Sequence, residues 1–144
     1  MRILRAILFN SGNHPSLSTN IALLAGRLSF GLMLAFLHGM GKTPPAAGFI
    51  EGVGAMGFPA PALFAWAASL SELFGGILIA MGLLTRPAAL AVGFTMCVAI
   101  FIRHAPDPIK DRELALVYLT FAVIIFLCGA GRFSVDWLLS RRRS

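Results

Sequence analysis

The chain has 144 residues, 58% of them hydrophobic and only 12% charged, with a mean hydropathy of +0.83. Soluble domains carry roughly a quarter charged residues, and a chain this short leaves about a third of its surface in need of polar cover, so a water-soluble globule is excluded and lipid is the natural solvent. The net charge of +6 does not point to nucleic acid, because the basic residues sit at the ends of apolar runs, where they act as topology signals and contacts to anionic lipid.

Residues 1–18 read as a cytoplasmic or interfacial lead-in: the basic, apolar stretch MRILRAILFN is too short for a signal-peptide core, and no small-residue cleavage motif follows it. Spanning the hydrocarbon takes about 20 mostly apolar helical residues, and four segments qualify. The first covers about residues 19–40 and contains one charge, Arg27; the second covers about 60–84 and contains one charge, Glu72. The third is bracketed by Arg86 and Arg103, short but able to snorkel at both ends. The fourth covers about 111–130, with Asp111 and Glu113 favouring its helix dipole and Arg132 closing it. Long unbroken apolar runs exclude a β-barrel, whose strands alternate with period two.

Between the first two spans, GKTPPAAGFIEGVGAMGFP is too apolar for a solvated loop and predicts a short interfacial or re-entrant helix over residues 46–56. Thr85-Arg86 forms a tight turn, and RHAPDPIKDR is a polar loop broken by two prolines. The expected fold is therefore an all-α membrane-spanning four-helix bundle with that extra helix between helices 1 and 2. It occupies residues 19–139 and is followed by a basic tail at 140–144. With both termini on one side, that side holds Arg2, Arg5, Arg86, Arg132, Arg141, Arg142 and Arg143 against Lys42, Arg103, Lys110 and Arg112 on the other, which places the termini in the cytoplasm. Trp137 suits an interfacial anchor. Cys97 and Cys128 lie inside apolar runs and form no metal or redox motif.

An ionisable side chain within a span costs at least about 2.5–3.5 kcal/mol on the insertion scale, so Arg27 and Glu72 each need a partner or a function. Counted from the cytoplasmic end, their depths differ by about one turn, and they are expected to pair. Such a pair either fixes helix register or forms a polar intramembrane site. For the second, Arg27, Gly31, Leu34, His38 and Lys42 fall near one helical face. His38 and His104 both stand at the outer end; neither has a ligand partner at helical spacing, and no metal site is expected. Small residues around Glu72 (Ala65, Ala68, Ser69, Ser71, Gly75, Gly76) serve close helix packing.

Several short motifs recur together in order: Arg27, Gly31, His38-Gly39 and Lys42; Gly57-Phe58-Pro59 with Pro61; Glu72 with Gly75-Gly76; Gly82-Leu83-Leu84-Thr85-Arg86; and Gly129-Ala130-Gly131-Arg132-Phe133-Ser134-Val135-Asp136. In this the chain resembles the DoxX family of small four-helix membrane proteins over about residues 20–139, departing at Ala130, where the family often has proline. The resemblance implies a multi-pass protein of the bacterial inner membrane. It also implies an accessory subunit of a quinone-linked redox or oxidative-stress system, without an intrinsic cofactor but with a quinone as ligand and a redox protein as partner. Homo-oligomers are compatible with it. Arg27, Glu72, His38 and Lys42 would form the polar site, with Arg86, Arg132 and Asp136 as cytoplasmic-face anchors. A small-molecule or lipid transporter, and a scaffold recruiting soluble partners through its tail, are the alternatives.

Overall fold

A computed structural model describes residues 16–141; the greater part of the lead-in and the end of the basic tail lie outside the described residues. Six α-helices are present among the described residues and no strand, as expected for an all-α fold. Helix α1 (Leu17–Met33) starts where the Ser16 hydroxyl accepts from the Thr19 N–H at 3.2 Å. It continues without a break through a π-helical turn (Leu34–Gly39) and a 3₁₀ turn (Met40–Lys42). The expected intervening helix is α2 (Ala47–Ala55). Helix α3 (Pro61–Met81) begins on proline, whose missing N–H is one a first turn leaves unpaired in any case.

Gly82, at φ +66°, ends α3 in a Schellman turn: Leu83 N–H donates to Leu78 O at 2.9 Å and Gly82 N–H to Ile79 O at 3.0 Å. Helix α4 (Thr85–Val98) follows at once and closes with a second π-helical turn (Ala99–Arg103). Helix α5 (Ile109–Cys128) returns along α4, and a short α6 (Val135–Arg141) ends the described chain.

Three of these helices, Leu17–Lys42, Pro61–Met81 and Thr85–Arg103, are long and apolar enough to cross a bilayer. The expected fourth span, α5, is not among them: Lys110, Asp111, Arg112 and Glu113 occupy its first turn and shorten its apolar part.

Helices α1 and α3 run antiparallel and cross at two glycines. A Cβ on Gly31 would lie 2.6 Å from Gly76 O, and one on Gly76 would lie 2.6 Å from Gly31 O, so neither position admits a side chain at this separation. The interior is a thin apolar seam in which Leu23, Leu34, Ile79, Val92, Met96, Ala122 and Ile125 interdigitate, with Phe30 stacked on Phe121 at 4.4 Å. Large apolar residues such as Phe36, Leu63, Phe74, Phe101 and Leu127 point outward, the inside-out distribution that a lipid environment permits.

Candidate functional site

The register set by the Gly31–Gly76 crossing places Arg27 opposite the end of α3 and Glu72 opposite Lys42. The expected Arg27–Glu72 pair is therefore not formed. Arg27, fully buried, donates to Ile79 O (3.3 Å), Ala80 O (3.1 Å) and Phe133 O (2.6 Å), tying the last carbonyls of α3 to the chain that follows α5. Depth counting failed because α1 and α3 are not flush. The first turns of α1 extend beyond the end of α3, and residues 129–136 fill the space beneath the α3–α4 turn.

That segment makes the lower end of the bundle a polar knot. Asn20 Oδ1 accepts from Arg132 N–H at 2.6 Å, and Asp136 N–H donates to Gly82 O at 2.8 Å. The Asp136 carboxylate accepts from Leu84 N–H (2.8 Å), Thr85 N–H (3.0 Å) and the Thr85 hydroxyl (2.7 Å), capping the first turn of α4 from a distant part of the chain. Asp136 is thus a buried cap and not a surface anchor. Arg132 does lie at the surface, its guanidinium 5.6 Å from the Trp137 ring, and Arg86 reaches Leu127 O at 3.3 Å.

The opposite end holds the other charge. Both Glu72 oxygens accept from the Lys42 ammonium, at 2.8 and 2.7 Å, with the glutamate side chain only 4% exposed and the lysine side chain 38% exposed. A carboxylate this deep needs such a partner, since an unpaired one would be strongly penalised. The 3₁₀ turn at Met40–Lys42 delivers the lysine, and Ser69 can hold the same turn by donating to Lys42 O at 2.9 Å.

Lys42 and Glu72 lie in the wall of an open-sided cavity of about 490 Å³ between α2, α3 and α4, within the ~300–1,000 Å³ of small-molecule sites. Its walls are mostly apolar, with Phe49, Val53 and Met56 from α2, Phe64 and Ala68 from α3, and Phe94 and Val98 from α4. Beside Glu72 the hydroxyls of Ser71 and Thr95 meet at 2.6 Å across α3 and α4; Arg103 and His104 line the cavity at the end of α4.

Of the four residues expected to form one polar site, the structure unites Glu72 and Lys42 and separates the other two. His38 is displaced to the far side, where its ring meets the edge of Tyr118 at a centroid separation of 5.6 Å. The π-helical turn contributes to this, since it breaks the α-helical periodicity from which a common face was inferred. Ser71, Thr95 and Arg103 carried no distinguishing signal in the sequence, the first two because each hydroxyl is also satisfied by its own helix, at Ala68 O and Ala91 O.

Apolar transmembrane helices joined at a glycine crossing, with a lipid-facing exterior and a mostly apolar cavity that holds a buried ion pair in its wall, define an integral membrane protein with a small-molecule-sized cavity. The family model DoxX matches residues 22–105, more than half of the chain, and the chain belongs to the DoxX family. No curated protein and no solved structure matches it.

Proposed function

We propose that this protein is an accessory subunit of a quinone-linked redox system in the bacterial inner membrane, with both termini cytoplasmic, and that the cavity receives the quinone headgroup. The observation carrying this reading is the cavity that places a buried ion pair, Lys42–Glu72, beneath apolar and aromatic walls. The donors suit such a ligand. Lys42 has one N–H beyond the two engaged by Glu72, and the Ser71–Thr95 hydroxyls offer a second polar point, so a carbonyl oxygen has partners while Phe49 and Phe94 accept the ring.

A bound quinone supplies exchange of two electrons and two protons. The chain's own part is to orient the ring, exclude water and relay a proton at Glu72, which Lys42 holds in place. Electrons would come from, or pass to, a redox partner protein. The cytoplasmic placement of the termini rests on the excess of basic residues on that side.

The test is mass-spectrometric identification of small molecules extracted from the purified wild type and from Glu72→Gln in mild detergent. A quinone retained by the first and lost from the second, with helix content unchanged by circular dichroism, supports the reading. No quinone in either overturns it and moves weight to a transporter, for which flux into liposomes without a redox partner is the corresponding measurement.

A further inference from the structure

The cavity has a second polar end, at its rim, and the charges there do not cancel. Glu72 is engaged by Lys42. His104 Nδ1 lies 2.6 Å from Asp107 Oδ2, so that carboxylate is engaged by the ring beside it. Arg112 directs its guanidinium at backbone, donating to Ala105 O at 2.5 Å and to Asp107 O at 2.6 and 3.1 Å. Arg103 remains: it lines the cavity and has no hydrogen bond or ion pair among the described residues. The π-helical turn Ala99–Arg103, closed by His104 N–H donating to Ala99 O at 2.9 Å, sets it there, and the Asp107–Arg112 contacts brace the loop beyond it.

Arg103 and Thr95 are eight residues apart along one helix, about two turns. The wall there is apolar, with Val98 of α4, Ala99 of the π-helical turn and Phe64 of α3. A guanidinium at the mouth of an apolar shaft matches a molecule with an acidic head and a hydrocarbon body, because a charge-assisted contact to carboxylate or phosphate is about twice as strong as a neutral one.

We infer that Arg103 forms an anion subsite at the cavity rim, and that the cavity accepts an amphiphile whose carboxylate or phosphate pairs with Arg103 while its chain enters the shaft. This stands apart from the quinone reading, since Arg103 and the Lys42–Glu72 pair are at different heights. Occupation of the shaft by such a chain would compete with a ligand at Lys42.

The experiment measures binding of radiolabelled oleate and of oleyl alcohol, the same chain without the charge, to the full-length protein in mild non-ionic detergent. Dioleoyl phosphatidylglycerol is compared in the same way with dioleoyl phosphatidylcholine. The wild type should prefer the charged member of a pair by tenfold or more; Arg103→Gln should abolish that preference and Arg103→Lys should keep most of it. A preference for oleate identifies a free acid as the source of the anion, and one confined to phosphatidylglycerol identifies a lipid headgroup; both support the subsite. No preference in the wild type, or one unchanged in Arg103→Gln, overturns it and leaves Arg103 as an interfacial anchor. Because Arg103 is exposed at a helix end, its replacement spares the core, and the ratio of two ligands on one sample is insensitive to a partly unfolded fraction. Glu72→Gln is measured in parallel: lost quinone with intact acid preference, or the reverse, separates failure of one proposal from failure of the other.

Discussion

Arg27 and Glu72, the two ionisable side chains deep in the first two apolar helices, answer to opposite ends of the bundle: the guanidinium binds the carbonyls of Ile79 and Ala80, whereas the carboxylate, eight residues before Ala80 along the same helix, binds Lys42. Eight residues are about 12 Å of helix. The division gives the two charges different duties, the first holding the fold together and the second facing a cavity, and substitutions should separate them.

Arg27→Met should destabilise the protein by about 3–5 kcal/mol, because two buried carbonyls and a part-buried one lose a shared charged donor. Arg27→Lys should recover only part of this, since one ammonium lacks the planar fork that reaches the end of α3 and the segment after α5 at once. Reversible unfolding in mixed micelles measures both, and stability equal to wild type in Arg27→Met would refute the assignment.

Removing one member of the Lys42–Glu72 pair should cost more than removing both. Lys42→Met leaves a buried carboxylate unpaired, so the double substitution Lys42→Met/Glu72→Met should be the more stable of the two, a non-additivity of about 1–3 kcal/mol in a double-mutant cycle. Additive losses would show that the pair is not coupled.

Asp136→Ala should cost about 1–2 kcal/mol through loss of the cap on α4, and Thr85→Val somewhat less. Neither should alter quinone retention, which distinguishes a structural lock from the cavity site; loss of quinone from well-folded Asp136→Ala would contradict it.

Gly31→Val should prevent the α1–α3 approach and abolish the folded, monodisperse protein on size exclusion, because its Cβ would fall within 2.6 Å of Gly76 O. Tyr118→Phe, by contrast, should change stability by less than about 1 kcal/mol: the buried hydroxyl has no hydrogen-bond partner in the chain among the described residues, so its removal costs none.

The all-α architecture was legible in the sequence because unbroken apolar runs have few other solutions in lipid, and the short α2 was legible from a loop too apolar for solvent. Glu72 stood out as a charge within a span and Lys42 by its place on the helical face of Arg27. Their pairing was not legible, since composition locates each helix only to within a few residues at its ends, whereas the register is fixed by where two glycines let backbones touch. The placement of His38 against Tyr118, apart from the Lys42–Glu72 pair, was not legible because a π-helical turn is invisible to 3.6-residue periodicity. The roles of Asn20 and Asp136 depend on contacts between residues about 112 and 51 positions apart, which no local pattern encodes.

The knot beneath the α3–α4 turn also orders the events of biogenesis. Phe133 and Asp136 are translated after all three of the most apolar helices, so during insertion Arg27 sits in α1 without its shortest hydrogen bond and α4 begins without its cap. Closure of the lower end thus waits until residues 129–136 have followed those three helices out of the ribosome. A ribosome-stalled product ending before residue 129 would be inserted yet unlatched, and so exposed to the quality-control proteases of the membrane.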